Sequence, residues 1–221
     1  MSAGRLYGSK GNPRVQKVQI TAKLSSIEID FDENFEMGKH NKTPEYLAKF
    51  PLGQVPAFEA KDGLCLTESA GLAFYVANLK ENNPLLGKNK HELGKIYQYS
   101  FFAETQLSPQ AATIVYPAFG YMPYNEETER LGYQKLEGTL AYLNKEVEGK
   151  KYLVGDSITL ADIMIGSNLE MLYAYVLVEE HRNKHPHLTN YFKHYRQMTE
   201  VTDASGPMRL ADKPLKVEAK K

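Results

Sequence analysis

The sequence predicts an α/β domain followed by an all-helical domain, and three observations carry that reading. Short β-like runs alternate with helical stretches up to residue 83, and beyond it the pattern is almost entirely helical. The 221 residues exceed one average domain slightly and suit one large domain or two small ones. Hydrophobic residues make up 42% and charged residues 24%, which suffices for a core and argues against disorder. The division falls between residues 1–83 and 90–221.

Arg5 to Gly8 (RLYG) reads as a short apolar strand. Pro13 to Leu24 places Val15, Val18, Ala22 and Leu24 at three- to four-residue spacing, which predicts a helix. Ile27 to Phe31 (IEIDF) alternates apolar and acidic residues as a half-buried strand does. Pro44 to Lys49 predicts a short helix opened by a proline in its first turn. Val55 to Glu59 (VPAFE) and Leu64 to Leu66 (LCL) flank Lys61-Asp62-Gly63, and two short strands around Asp-Gly make a hairpin. Ser69 to Lys80 is a patterned helix, ended by Glu81-Asn82-Asn83-Pro84. The order is βαβ, a short helix, then ββα. The first half requires a parallel crossover, and the second adds an antiparallel hairpin and a closing helix. That arrangement is thioredoxin-like.

From His91 onward no segment reads as a strand. His91 to Val115 is a long aromatic-rich amphipathic stretch, broken near Ser108-Pro109. Glu126 to Glu148 carries Leu131, Leu136, Leu140 and Leu143 at helical spacing. Thr159-Leu-Ala-Asp162 matches a capping box, in which Thr159 and Asp162 satisfy orphan amides reciprocally. The helix it opens, to about Val178, is apolar nearly all round and belongs at the centre of a bundle. His187 to Met198 closes that bundle. The Lys-rich end (Lys213, Lys216, Lys220, Lys221) reads as a solvated tail.

Charge and cysteine content exclude several function classes. With 27 basic and 27 acidic side chains the formal net charge is zero, so no long-range field draws nucleic acid or an anionic membrane. Cys65 is the single cysteine, so neither an intramolecular disulfide nor a cysteine-based zinc site can form. The N-terminus lacks the apolar core of a secretory signal. The longest apolar run, Met171 to Val178, falls far short of the ~20 residues that span a bilayer. A cytoplasmic location is the expectation. His181, His185, His187 and His194 lack a carboxylate or thiolate to complete a four-ligand set, and they read as a His-rich surface loop, with no metal expected.

Four features of the first domain converge on one place. Asn12-Pro13 sits at the start of the first helix, with Asn as N-cap and Pro at the first helical position. The amides there carry positive partial charge and favour an anion, including a thiolate. Val55-Pro56 opens a strand, where a proline is often cis and the preceding backbone is free to pair with an extended peptide. Thr67-Glu68-Ser69 starts the next helix and can hold a carboxylate through the Ser69 amide and hydroxyl. Lys39, His40 and Lys42 form a basic cluster before the short helix. Each has an ordinary account taken alone: a cap, an edge-strand proline, a second cap, solvated loop charge.

Together and in this order, Val55-Pro56 and Glu68-Ser69 resemble the glutathione-binding site of the cytosolic glutathione transferases. The run PEYLAKFPLGQVPAFEAKDGLCLTESAGLAFYVA (44–77) carries the strongest likeness, and YLVGDSITLADI (152–163) is similar to the family's capping-box and core-helix motif. GSKGNPRV near the start and LADKPL (210–215) near the end look most like the transferase-like domain of the translation elongation factor 1 gamma subunit, and like related fungal stand-alone transferases. The chain stops where the gamma subunit continues into a Lys-rich linker and a further domain, so a stand-alone enzyme is the expectation.

The resemblance implies the glutathione transferase fold and assigns roles by position. Val55, next to Pro56, pairs its backbone with the cysteinyl part of glutathione. Glu68 and Ser69 hold the γ-glutamyl end, and Gln54 with His40 or Lys42 approaches the glycyl carboxylate. Related transferases place a thiol-activating Ser, Tyr or Cys near the first helix's N-terminus; the position before Pro13-Arg14 here is Asn12, often Ser in the gamma-subunit group, with Ser9 the nearest hydroxyl and Tyr7 the nearest phenol. Tyr7 is also a strand residue suited to face the core. Tyr7, Phe101, Phe102, Tyr116 and Phe119 are candidates to line a pocket for a small apolar electrophile, and the last four equally to fill the helical core. The implied chemistry is conjugation, or reversible addition giving isomerisation. The alternative is a non-catalytic docking module of the gamma-subunit type. The family also implies a homodimer. Cys65, in the hairpin's second strand, is expected to be buried and inert.

Overall fold

The computed structural model describes residues 1–215 and residue 217. Three of the lysines read as a solvated tail, Lys216, Lys220 and Lys221, lie outside the described residues. Four strands form one sheet in the order β2-β1-β3-β4. The strands are β1 (Gly4–Tyr7), β2 (Asp30–Phe31), β3 (Ala57–Ala60) and β4 (Cys65–Thr67). β1 and β2 are parallel, whereas β3 is antiparallel to both β1 and β4. Helix α1 (Pro13–Ser25) makes the crossover, α2 (Pro44–Lys49) precedes β3, and α3 (Ser69–Asn78) follows the hairpin. The thioredoxin-like order expected from the sequence is present.

β2 is shorter than its alternating pattern predicts. Ile27 and Ile29 pack against the core as a strand face would, yet only Asp30 and Phe31 pair with β1. β1 itself offers just four residues, and it pairs with β2 through Arg5 and Leu6 alone.

The helical part comprises α4 (Lys90–Phe102), α5 (Ser108–Val115), α6 (Glu126–Glu146), α7 (Leu160–Tyr175), α8 (Glu179–Lys184), α9 (Pro186–Arg196) and α10 (Thr199–Ser205). The stretch from 90 to 115 is not broken at Ser108-Pro109. A π-helical turn over Ala103–Leu107 carries the backbone from α4 into α5. The wider turn lies just before Pro109, whose ring crowds the carbonyl four residues back in a regular helix. Within α6, Leu136, Leu140 and Leu143 are buried while Leu131 is exposed, so the apolar face engages only the second half of the helix.

α7 runs through the centre, with Leu160, Ala161, Ile163, Met164, Ile165, Leu169 and Leu172 buried. Its capping box is formed, and the Asp162 carboxylate accepts from the amides of Thr159 and Leu153 and from the Tyr191 hydroxyl. Gly166 lets α9 approach: a Cβ there would lie 2.4 Å from the Tyr195 ring. α1 packs on both α3 and α7, so the two halves share an interface built around the first helix. Among the described residues no helix is long and apolar enough to cross a membrane.

The His-rich segment departs from expectation. It forms α8 and the start of α9 rather than a surface loop, and His185 is buried beside the Glu137 carboxylate. Cys65 is half-buried rather than buried, at the edge of the cluster made by Phe35, Tyr46, Phe50 and Ala57.

Candidate functional site

The sheet register brings three chain segments to one end of the domain. Tyr7 is opposite Ala57, and Ala57 is opposite Thr67. The loop Gly8–Asn12, the dipeptide Val55-Pro56 and the junction Glu68-Ser69 therefore leave the sheet together. Gly8 makes the first of these possible, because a Cβ there would lie 2.4 Å from Val15 Cγ2.

Asn12 is the N-cap of α1: its Oδ1 accepts from the Arg14 amide at 2.9 Å, and Pro13 takes the first helical position. With Oδ1 so used, the Nδ2 group is the part left to donate, and it has no hydrogen-bond partner among the described residues. Ser9 stands beside it, and its carbonyl accepts from the Asn12 amide at 3.2 Å. The Val55-Pro56 bond is cis. Among the described residues nothing hydrogen-bonds the Val55 amide or carbonyl.

Glu68 lies in the left-handed region at φ 67°, a conformation that costs a non-glycine residue on the order of 1–3 kcal/mol and recurs at ligand sites. Ser69 follows as the first residue of α3, buried, where helix-start amides lack internal partners. Its Oγ accepts from the Lys17 ammonium at 3.3 Å. Gln54 is exposed and its carbonyl accepts from the Tyr46 hydroxyl at 2.6 Å. The buried Asn41 donates to the Gly53 carbonyl at 2.6 Å, fixing this loop against the segment that carries Lys42.

Between the sheet end and the helical part lies a cleft of about 530 Å³, lined by Ser9, Asn12, Arg14, Met37, Val55 and Ser108, and by Tyr116, Ser167 and Met171. It continues into a second hollow of about 400 Å³, walled by Tyr116, Phe119, Tyr121, Met171, Tyr175 and Glu170. Tyr116 and Phe119 thus stand at the cleft, on the turn after α5. Arg14 spans the cleft mouth, donating from Nη1 to the Tyr116 hydroxyl at 3.1 Å and from Nη2 to Ser108 Oγ at 3.4 Å. Burial pushes the Glu170 carboxyl up to about 7, against the opposing pull of Arg196, whose Nη1 lies 3.0 Å away.

Several sequence candidates lie elsewhere. Tyr7 points to the opposite sheet face, because Leu6 takes the face that packs on α1 and alternation sends Tyr7 the other way. Its ring packs edge-on to Tyr46, and its hydroxyl donates to Glu59 at 2.8 Å. Burial and that carboxylate push the phenol up, away from any role as a thiol activator. His40 faces the same aromatic cluster: its ring lies 5.5 Å from Phe35, and its Nδ1 accepts from the Glu36 amide. Phe101 is 64% exposed on the outside of α4 and stacks on Tyr97. Phe102 packs on Tyr142 within the helical core. Neither phenylalanine reaches the cleft, because the π-helical turn leaves the cleft wall to α5, the turn after it, and α7.

Sequence reasoning missed Arg14, Tyr121, Met171, Tyr175 and Glu170. The signal for Arg14 was its place one residue beyond Asn12-Pro13, in the helix's first turn. Nothing in local pattern marks the others, which α7 and distant loops bring in.

The N-terminal domain model of the glutathione S-transferases matches residues 2–78, and their C-terminal domain model matches residues 107–198. Elongation factor 1-gamma-A of Xenopus laevis is 35% identical over 224 residues, covering 100% of this chain and 50% of that protein. The chain spans about half the length of the curated relatives it matches. The GST-like domain of elongation factor 1-gamma from Saccharomyces cerevisiae superposes with a TM-score of 0.84 at 23% identity, covering 99% of this chain and 100% of that one. A glutathione S-transferase-I bound with lactoylglutathione superposes with a TM-score of 0.77 at 20% identity, covering 92% and 99%. These two likenesses show the fold.

Proposed function

From the premise that the chain belongs to the glutathione transferase superfamily, we propose that it binds glutathione at the sheet end and activates its thiol toward a small apolar electrophile. The observation that carries the reading is the convergence of three unsatisfied donor or acceptor sets at one end of the sheet, two of which, at Asn12 and Val55, line the cleft. These are the unpartnered Val55 backbone, the free Nδ2 of Asn12, and the Ser69 amide at the start of α3.

In this reading Val55 pairs its amide and carbonyl with the cysteinyl unit, as an added strand pairs with a sheet edge. Glu68 and Ser69 hold the γ-glutamyl end. Gln54 and Lys42 approach the glycyl carboxylate, with His40 turned toward Phe35 instead. Asn12 Nδ2 donates to the sulfur, and the first turn of α1 adds its positive partial charge. Arg14 brings a full positive charge to the same wall of the cleft. Glutathione supplies a thiol that, once ionised, attacks an electrophile or adds reversibly to an alkene. Tyr116, Phe119 and Tyr121 line the second hollow and offer ring faces to an apolar acceptor.

A second reading has a specific observation in its favour. The relatives named elongation factor 1-gamma match along the whole of this chain at 33–35% identity, and a transferase-like docking module that leaves the thiol unactivated fits them. Isothermal titration with glutathione, followed by a conjugation assay with an apolar aryl halide, separates the two. Binding with turnover supports the enzyme. Binding without turnover and without a lowered thiol pKa supports the docking module, and absence of binding removes the glutathione reading.

For the homodimer that the family implies, the face on offer is the aromatic stripe of Phe74, Tyr97 and Phe101 across α3 and α4. Its rings stand 5.0 and 6.2 Å apart, and Tyr97 and Phe101 are exposed.

A further inference from the structure

Lys17 is the one lysine among the described residues that is buried, at 1% exposure, and the mechanism above does not use it. Lysine is almost never fully buried unless paired. Its partner is Glu104, which stands on the π-helical turn between α4 and α5 and is 27% exposed. Asn168 of α7 donates to the same Glu104 oxygen at 3.4 Å. Such a pair is a poor device for stability, since two well-packed apolar side chains would hold the domains together at least as well. π-helical turns of this kind occur frequently at functional sites.

The remaining contact of the Lys17 ammonium is Ser69 Oγ, at 3.3 Å. An ammonium has donors and no acceptor, so Ser69 Oγ must accept from it. The serine proton is then directed away from Lys17. The Ser69 amide, at the first position of α3, lacks a helical partner and points out of the same helix start. Ser69 therefore presents two donors together, its amide and its hydroxyl, with a positive charge behind them. That set matches a carboxylate and disfavours a cationic group.

We infer that Lys17 is a positioning residue for the γ-glutamyl end of glutathione: held by Glu104, it fixes the Ser69 hydroxyl as a donor and places a positive charge beneath the ligand's α-carboxylate. This rests on the glutathione reading above. It adds that selection of an α-amino-acid terminus depends on a pair joining the two domains, not on the first domain alone.

The test titrates two ligands calorimetrically, glutathione and cysteinylglycine, which lacks the γ-glutamyl unit. The wild type is expected to prefer glutathione. The paired variant Lys17→Met/Glu104→Gln removes both charges at once, which avoids leaving one buried alone. It is expected to bind glutathione about tenfold more weakly or worse, a loss on the scale of a charge-assisted hydrogen bond. Its affinity for cysteinylglycine should stay at the wild-type value. Lys17→Arg, which keeps the charge, is expected to keep the preference to within about threefold. Glu104→Gln is the second variant, because it leaves the lysine's packing in place. The same loss of preference is expected there, since a lysine buried without its counter-charge gives up its proton. Unchanged preference in either charge-removing variant overturns the role of Lys17 while leaving the glutathione reading intact. A wild type that binds no glutathione overturns both.

Discussion

The Arg14 guanidinium donates to the Tyr116 hydroxyl at 3.1 Å, joining the first turn of α1 to the turn that follows α5 across the mouth of the cleft. A residue beside the proposed thiol site is thereby tied to a residue of the proposed electrophile wall. Arg14→Leu removes the link and a positive charge near the sulfur. The expected result is a folded protein whose kcat/KM for glutathione conjugation falls by a factor of ten to a hundred, about 1.4–2.7 kcal/mol. Tyr116→Phe keeps the charge and should cost under tenfold. Steady-state kinetics of the two variants check the order.

Gly8→Ala tests the packing that brings the thiol-site loop onto α1. The new methyl would meet Val15 Cγ2 at 2.4 Å, at a backbone φ of 155° that side chains avoid. A loss of about 2–4 kcal/mol is expected, read as a lowered denaturation midpoint with an unchanged slope.

Glu170 gives a pH dependence of stability whose sign follows from its burial. Its carboxyl is pushed up to about 7 in the folded protein, above the value of an exposed glutamate near 4.3. The group's stabilising contribution is full below the unfolded value and is lost as pH rises toward 7. Arg196, Tyr195 and Arg209 are the charged or titratable neighbours, and Arg196 opposes the shift. Glu170→Gln should gain on the wild type between pH 5 and pH 8, by up to about 3 kcal/mol. Chemical denaturation at those two pH values checks it.

The exposed stripe on α4 predicts the assembly. Phe101→Asp puts a charge at the centre of the proposed self-contact while leaving the cleft untouched. Sedimentation should show a dimeric wild type and a monomeric variant. A monomeric wild type contradicts the homodimer.

The residues legible in the sequence were those whose role is written in local chemistry. Asn12-Pro13, Pro44 and Thr159–Asp162 are helix-start signals satisfied within a few residues, and all three helices begin where those signals lie. The grouping of Ser9, Asn12, Val55 and Ser69 came from the order of the motifs together with the family resemblance, since each motif taken alone reads as an ordinary cap or edge-strand proline. What local pattern does not encode is direction and burial. Tyr7 and Phe101 are aromatics close in sequence to the site, yet strand alternation and helix rotation turn both away from it. Nothing in the local pattern marks Lys17 as buried, because its partner lies 87 positions onward. The π-helical turn that supplies Glu104 leaves no more trace than a proline. α10 escaped because TEVTDAS is short and polar, with Val201 as its buried contact.

The central claim, that this site binds glutathione and lowers its thiol pKa, is tested most directly by ultraviolet titration of the glutathione thiolate in the presence of the protein. A free thiol ionises near 8.5, and a hydrogen bond plus a helix start lowers that by roughly 2 units, about 2.7 kcal/mol. Thiolate absorbance should therefore appear near pH 6.5 with the wild type (a shift of roughly 2 units) and move back toward the free value in Asn12→Ala. A titration that stays at the free value despite measurable binding would contradict the account and leave the docking module as the function of this fold.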